Sequence, residues 1–538
     1  MERKLELNKI ALKEKNKWEN IGIHMPQFDI EKMASATSKN PKWVHFGAGN
    51  IFRGYIARLQ QELLNKSMVD EGIVVTETFD FDIIDKIYKP HDNITLLVTL
   101  NHNGKMVKEI IASLPYAYRI DTDYDKLAAV FAKPSLQMVS FTITEKGYVL
   151  MGIDGALLPV VAEDMAKGPK GTKHTMSIAA ALLLERFNAG AEPIAMVSLD
   201  NCSHNGEKLK AAIVTIASAW IKNGYAPEEF GAYLQDTSKV SFPWSMIDKI
   251  TPRPSEIVQK QLKDIGINGA SPIVTDKNTF IAPFVNAEAA EYLVIEDSFP
   301  NARPPLDKVG VYFTDRQTVN MVETMKVTTC LNPLHTALAI FGCLLGYTSI
   351  SDEMKDLDLV TLVKRIGYDE GMKVVINPGI ICPKAFIDEV INQRLPNPFI
   401  PDTPQRIATD TSQKMGIRFG ETIKSYIADP GLVPSDLIGI PLVIAGWMRY
   451  MLGVNDKLEP MELSSDPMLE TLIAQLTGIE AAHPHSYTRQ LKPILAEKTL
   501  FGVDLYEAGL GDKIEGYFVE MLGGVGSVRK TLSKYLSE

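Results

Sequence analysis

The stretch Trp43-Val44-His45-Phe46-Gly47-Ala48-Gly49-Asn50 decides the fold. Its first four residues are a short apolar run of the kind a buried strand shows, and they pass without a linker into Gly-x-Gly. Ile51, Tyr55, Ile56, Leu59, Leu63 and Leu64 then recur at helical spacing. Strand, glycine turn and helix together form the arrangement in which backbone N–H groups at a helix start cradle a pyrophosphate. The third glycine of the GxGxxG fingerprint is missing, with Phe52 in its place, and an ordinary tight turn would leave the same trace. Two features favour the dinucleotide reading. The glycines follow the first good strand, and the next strand-like run, Gly72–Thr76, is followed by the acidic residues Glu77 and Asp80. A carboxylate there accepts hydrogen bonds from ribose hydroxyls and repels a 2′-phosphate, which selects NAD over NADP. The spacing does not choose between Glu77 and Asp80, and both also read as solvated loop residues.

Outward from this point, Ile94–Leu100 and Val107–Ala112 look like a hairpin about His102-Asn103-Gly104. Leu136–Thr144 and Ile194–Leu199 read as strands, with a helix of small and apolar residues, Met176–Arg186, between them. This alternation implies an α/β fold with a mostly parallel, doubly wound sheet. From Pro305 onward long amphipathic stretches dominate, among them Leu334–Tyr347 and Ser435–Leu452, and a mostly helical C-terminal domain is expected. The division reads as an N-terminal arm over residues 1–40, a dinucleotide-binding Rossmann-like domain over 41–304 and a helical substrate domain over 305–538.

A chain of 538 residues exceeds one compact core, in keeping with two domains. The net charge of −10 argues against general nucleic-acid affinity but leaves room for a small cationic pocket. Cys202, Cys330, Cys343 and Cys382 lie far apart with no CxxC pair, so no zinc or disulfide framework is expected and a reducing cytosol suits the chain. His483 and His485 have no third ligand in view, and no metal is expected. The stretch Met1–Asn20 is dense in Lys and Glu with no apolar signal core. The longest nearly uncharged runs fall short of the roughly 20 residues a spanning helix needs. A soluble cytoplasmic protein with a small-molecule partner, and neither a nucleic-acid nor a membrane partner, is the expectation.

His45-Phe46-Gly47-Ala48-Gly49-Asn50-Ile51-Phe52-Arg53-Gly54 resembles the phosphate loop of the mannitol dehydrogenase family, the polyol-specific long-chain dehydrogenases and reductases. The likeness continues through Thr144–Tyr148, Ser198–Gly206, Ser245–Pro252, Leu293–Asp297, Glu323–Lys326, Leu331–His335 and Arg406–Asp410 with Lys414. It spans roughly residues 43–420, and so many short matches in one order are far more specific than any one of them. The resemblance implies metal-independent hydride transfer between NAD and a secondary alcohol of a linear sugar acid or polyol. D-mannonate and its oxidised partner D-fructuronate are favoured and D-mannitol is the alternative. It places Gly47, Gly49, Asn50, Ile51, Phe52, Arg53, Thr144 and Glu145 at the cofactor, with Glu77 or Asp80 at the ribose.

Oxidation of an alcohol without a metal needs a side-chain base for the hydroxyl proton, donors for the charge developing on oxygen, and a hydride acceptor. The resemblance assigns the base to Lys326, the charge-stabilising carboxamides to Asn201 and Asn332, the orientation of the reacting oxygen to His335, and a proton relay to Glu323. Arg406, Lys414 and Asp248 are implied at the substrate. Each has a plainer reading. Lys326 could lie on the surface, Asn332 before Pro333 could be a helix cap, His335 could be a satisfied core imidazole, and Glu323 could simply pair with a lysine one turn away. One departure stands out: the family places the asparagine five residues after the lysine, whereas Lys326 and Asn332 are six apart. An extra residue turns a continuous helix by about 100 degrees, and the β-branched Val327-Thr328-Thr329 is a place where it could be absorbed. The same departure motivates an alternative of another class, a catalytically silent NAD-binding sensor.

Overall fold

The run Trp43–Phe46 forms β1, buried along its whole length, as expected of a central parallel strand with helices on both faces. The computed structural model describes residues 5–537. Five more strands complete the main sheet: β2 (Ile73–Glu77), β3 (Tyr116–Arg119), β4 (Met138–Phe141), β5 (Ile194–Ser198) and β6 (Val240–Ser241). Every neighbouring pair is parallel, and the spatial order is 3-2-1-4-5-6. That is the Rossmann order, and its switch point lies between β1 and β4, where ligands bind beyond the carboxyl ends of the strands.

The helices α1 (Ala57–Asn65), α2 (Ile120–Phe131), α3 (Thr175–Asn188) and α4 (Asn205–Lys222) follow strands of this sheet. The period of two along β1 sends Val44 and Phe46 into a core with Phe131, Phe141 and Trp220, and Trp43 into another with Phe52, Ile56 and Val75. The predicted hairpin is present as Thr95–Leu100 against Met106–Ile111, joined in a four-stranded sheet by Phe284–Glu288 and by Ile23–His24. Part of the expected N-terminal arm is therefore built into a sheet, and Trp18 within it is fully buried. Residues 1–4 of that arm lie outside the described residues.

Residues up to Asn320, 102–104 apart, form one compact unit and those from Met321 another. Tyr312–Thr314 still pairs with Tyr292–Glu296, so sheet structure runs past the prolines at 304 and 305. The chain passes from one unit to the other within α5 (Arg316–Met325), which leads through a wide turn into α6 (Asn332–Leu345). Together they make a 30-residue helical passage long and apolar enough to cross a membrane, but its most apolar window is 72% buried within the protein, as in a core helix. α7 (Gly439–Tyr450) crosses it where Gly446 lets the backbone close on Phe341, since a Cβ there would stand 2.7 Å from the ring.

Glu353 meets α6 in the same way: a Cβ on Gly342 would lie 2.0 Å from its Oε1. The carboxyl is fully buried, neither oxygen has a hydrogen-bond partner, and burial pushes its pKa from 4.5 up to about 9. The folded protein holds this acid protonated while the unfolded chain ionises it. Its favourable contribution is complete below pH 4.5 and is lost as the pH rises towards about 9. Glu353→Met, close in volume and without a charge, is expected to raise Tm at pH 8 by about 3–5 °C and to flatten the pH dependence of Tm, read by calorimetry; an unchanged slope would contradict the assignment.

Candidate active site

At the end of β1, Gly47 has φ +101°, and a Cβ there would stand 2.2 Å from the carbonyl oxygen of Thr142. Only glycine lets the turn close on the end of β4. Around Gly49, by contrast, a Cβ would meet nothing within 4 Å, which leaves an open face at the loop through which a pyrophosphate can approach backbone N–H groups. Phe52, in the place of the third glycine, is buried and stacks on His45 with centroids 4.1 Å apart. His45 bridges Ser140 Oγ at 2.6 Å and Thr142 Oγ1 at 2.8 Å, and burial depresses its pKa to about 3, so it is a neutral strut.

The predicted cofactor residues separate by this geometry. Glu77 Oε1 accepts from the N–H groups of Thr78 and Phe79 at 2.9 and 3.0 Å, and Oε2 accepts from Ala48 N–H at 3.0 Å. Its carboxylate thereby ties the end of β2 to the glycine loop and keeps a lone pair on Oε2. Asp80 is buried and accepts from Thr275 Oγ1 at 2.7 Å. Arg53, expected at the cofactor, is fully buried and donates to the carbonyl of Ala282 at 2.7 Å and to Asn50 Oδ1 at 2.8 Å. It braces the loop from within, because a guanidinium sealed under the helix start finds carbonyls and not solvent. Ile51 is half-buried against the core, and Glu145 is exposed and paired with Lys208.

Thr144 adopts φ +65°, held there by a residue that sequence reasoning left without a role. The carboxylate of Asp200 accepts from Ile143 N–H and Thr144 N–H, both at 2.9 Å, and from the Tyr148 hydroxyl at 2.6 Å. Asn205, fully buried, is the other overlooked residue. Its side chain donates to the carbonyls of Asp200 and Ser245, each at 3.0 Å, and accepts from Ser245 N–H at 3.0 Å. It thus latches the loop carrying Asn201 to the strand Ser245–Asp248, on which Asp248 is the last, buried residue. Asn201 itself stands exposed in that loop. An acid and an amide following an apolar strand were the available signal for both.

In the helical unit, Lys326 is 3% exposed, which removes the surface-lysine reading. The extra residue before Asn332 is absorbed in a π-turn over Lys326–Cys330, closed by Leu331 N–H donating to the Lys326 carbonyl at 3.1 Å. A π-turn holds one residue more than an α-turn and leaves the flanking helices in phase. Asn332 then opens α6, but Leu331 holds the cap position and no side chain caps the helix. Among the described residues the Asn332 carboxamide makes no hydrogen bond, and only its backbone oxygen is engaged, by Thr336 Oγ1 at 3.0 Å.

His335 is the reverse of a satisfied core imidazole. Its Nε2 is buried without a hydrogen-bond partner, lying 3.5 Å from Asp402 Oδ2 but out of alignment. Burial depresses its pKa to about 4 against the opposing pull of Asp402, so it is neutral at physiological pH. Asp402 also holds Arg406, whose side chain is 62% exposed. Lys414 is half-buried and turns its amine onto the carbonyls of Ile407 and Thr409, with burial lowering its pKa. Glu323 lies partly buried three residues before Lys326, one turn away on α5. Among the described residues no group of three His, Cys, Asp or Glu is placed to hold a metal.

Residues 41–308 match the Mannitol dehydrogenase Rossmann domain and residues 318–519 the Mannitol dehydrogenase C-terminal domain. The chain belongs to the mannitol dehydrogenase family. Among members of this family, a D-mannonate oxidoreductase of Thermotoga maritima is 53% identical over 535 residues, covering 98% of this chain and 99% of that one. Mannitol dehydrogenase 2 of Saccharomyces cerevisiae is 30% identical over 80% of this chain and 81% of its own. Among solved structures, D-sorbitol dehydrogenase in substrate-free form aligns with a TM-score of 0.77 at 25% identity, over 94% of this chain and 97% of its own. The Pseudomonas fluorescens mannitol 2-dehydrogenase ternary complex with NAD and D-mannitol aligns with a TM-score of 0.70 at 24% identity, over 99% of this chain and 100% of its own. The last likeness speaks for the fold alone.

The π-turn sets a test within this family. Deleting Val327 is expected to convert the π-turn into an α-turn and keep dehydrogenase turnover within about tenfold of the parent. Inserting one alanine after Val327 rotates Lys326 away from Asn332 and is expected to cost about 100-fold or more in kcat. Equal losses in the two variants would refute the phase-keeping role.

Proposed function

We propose that the protein is a metal-independent, NAD-linked oxidoreductase that interconverts D-mannonate and D-fructuronate. The observation that carries this is the 53% identity to the Thermotoga maritima D-mannonate oxidoreductase along nearly the full length of both chains. Three groups of the helical unit support the chemistry. Lys326, buried next to the π-turn, takes the proton of the reacting hydroxyl. The free carboxamide of Asn332 and the neutral, unpartnered imidazole nitrogen of His335 donate to the oxygen as it gains charge. Neutral donors suit this task because they stabilise the developing anion without repelling Lys326 once it is protonated. Asn201 is assigned as the second carboxamide and Glu323 as the group that passes the proton on from Lys326. Arg406, Lys414 and Asp248 are assigned to the substrate chain.

The open face at Gly49 and the lone pair left on Glu77 Oε2 fit a dinucleotide, with Glu77 or Asp80 accepting from the ribose. Nicotinamide, when bound, supplies the hydride acceptor. Arg53 and Phe52 hold the loop in shape from beneath, and Asp200 fixes the strand-end loop at Thr144.

Initial rates with NADH on D-fructuronate, D-tagaturonate, D-fructose and D-fructose 6-phosphate test the substrate assignment. Fructuronate is expected to lead by a wide margin, and a clear preference for fructose would overturn it. Lys326→Ala is expected to lower kcat roughly 1,000-fold with the fold retained. Dinucleotide binding without turnover of any of these substrates would instead favour the sensor reading.

A further inference from the structure

Two fully buried arginines of this protein spend their guanidinium groups on the backbone. Arg186 donates to the carbonyls of Phe131, Lys133, Leu136, Glu192 and Pro193. Arg449 donates to those of Met521, Val454 and Asn455. Arg418 does not follow this rule. Among the described residues its guanidinium makes one hydrogen bond, to the hydroxyl of Thr336, and no carboxylate pairs with it. Arg418 is half-buried, and desolvation pulls its pKa down to about 10, so the group stays charged with no carboxylate beside it. A charge partly withdrawn from water is costly unless something of opposite sign arrives to meet it.

Its position says where that partner would sit. Thr336 lies one turn into α6, and at 100 degrees per residue Asn332, His335 and Thr336 fall within one sector of about 100 degrees. Arg418 also stands close enough to His335 and Lys414 to depress the pKa of both. The neighbouring cations assigned to the substrate chain already have partners: Arg406 pairs with Asp402, and the Lys414 amine donates to two carbonyls. The backbone that carries Arg418 is a rigid mount. It forms a π-turn over Gly416–Gly420, and a Cβ on Gly420 would stand 1.9 Å from the carbonyl oxygen of Phe501, so only glycine permits the approach.

We infer that Arg418 is a specificity-determining residue that reads the carboxylate of the substrate. An arginine fork matches a carboxylate with two parallel N–H donors, while a terminal hydroxymethyl leaves it unpaired. The inference rests on the sugar-acid reading above, and it supplies the carboxylate contact that the sequence did not reveal. The desolvation cost borne by the free protein becomes selectivity against neutral polyols, because only an anion removes it.

The test compares D-fructuronate with D-fructose, which carries a hydroxymethyl group in place of the carboxylate, using NADH and the full-length protein. Arg418→Met is expected to raise KM for fructuronate roughly 100-fold while kcat/KM for fructose stays level or rises. The ratio between the two substrates is the readout that a merely structural role would not move. If the variant loses activity equally on both, Arg418 only braces Thr336 and the inference fails. If the parent itself prefers fructose, the sugar-acid reading fails first, whatever the variant does. Should Arg418→Met not fold, Arg418→Lys keeps the charge but not the fork and is expected to raise KM for fructuronate about tenfold, with fructose unaffected; an unchanged substrate ratio there also overturns the assignment.

Discussion

A single hydrogen bond, from the N–H of Leu331 to the carbonyl of Lys326, sets the phase of the candidate residues in the helical unit. It spans five residues where an α-helix would span four, and so it accommodates the extra residue between the lysine and the asparagine. With that turn in place, α5 delivers Lys326 into a dry environment and α6 begins with the carboxamide of Asn332 unspent. His335 and Thr336 follow on the same turn of α6, and through Thr336 the guanidinium of Arg418 is held beside them. π-turns are tolerated in helices where function outweighs regularity. A second one, at Gly416–Gly420, mounts Arg418.

The buried polar groups divide by what they touch. Glu370 accepts from the N–H groups of Ile438, Gly439 and Ile440 and so caps the start of α7, and every guanidinium nitrogen of Arg186 and Arg449 donates to a carbonyl. Such groups hold the fold, because each of their buried polar atoms finds a partner. Asn332, His335 and Arg418 keep capacity in reserve within one turn of α6. A buried polar atom left unmet, as His335 Nε2 is, is costly, and with two half-buried groups beside it that keep spare donors it marks a site and not scaffolding. Glu353 shows that the rule has exceptions: it is just as unsatisfied, yet it packs on the far portion of α6 at Gly342 and acts through its protonation alone.

Much of the cofactor half was legible from local pattern. A four-residue apolar strand entering Gly-x-Gly, followed by helical spacing, specified β1, the loop and α1, and the hairpin about His102–Gly104 was readable from its two apolar runs. Short-range sterics govern such features, and short-range sterics are written in consecutive residues. The direction in which Arg53 points was not legible, because the carbonyl of Ala282 that captures it comes from more than two hundred residues further along the chain. Asp200 and Asn205 were overlooked for the same reason: their partners, Thr144 and Ser245, lie in other elements.

By itself the sequence determined the α/β alternation, the glycine loop, the helical character of the second half and the membership signalled by many short motifs in order. Those depend on periodicity, turn chemistry and residue identity at fixed spacing. Only the tertiary structure decided which charged groups are neutralised and which are left waiting, since burial and partnership arise when distant segments close on one another. Arg186, Arg406 and Arg418 are indistinguishable as letters. They differ because one meets carbonyls, one meets Asp402, and one meets a single hydroxyl.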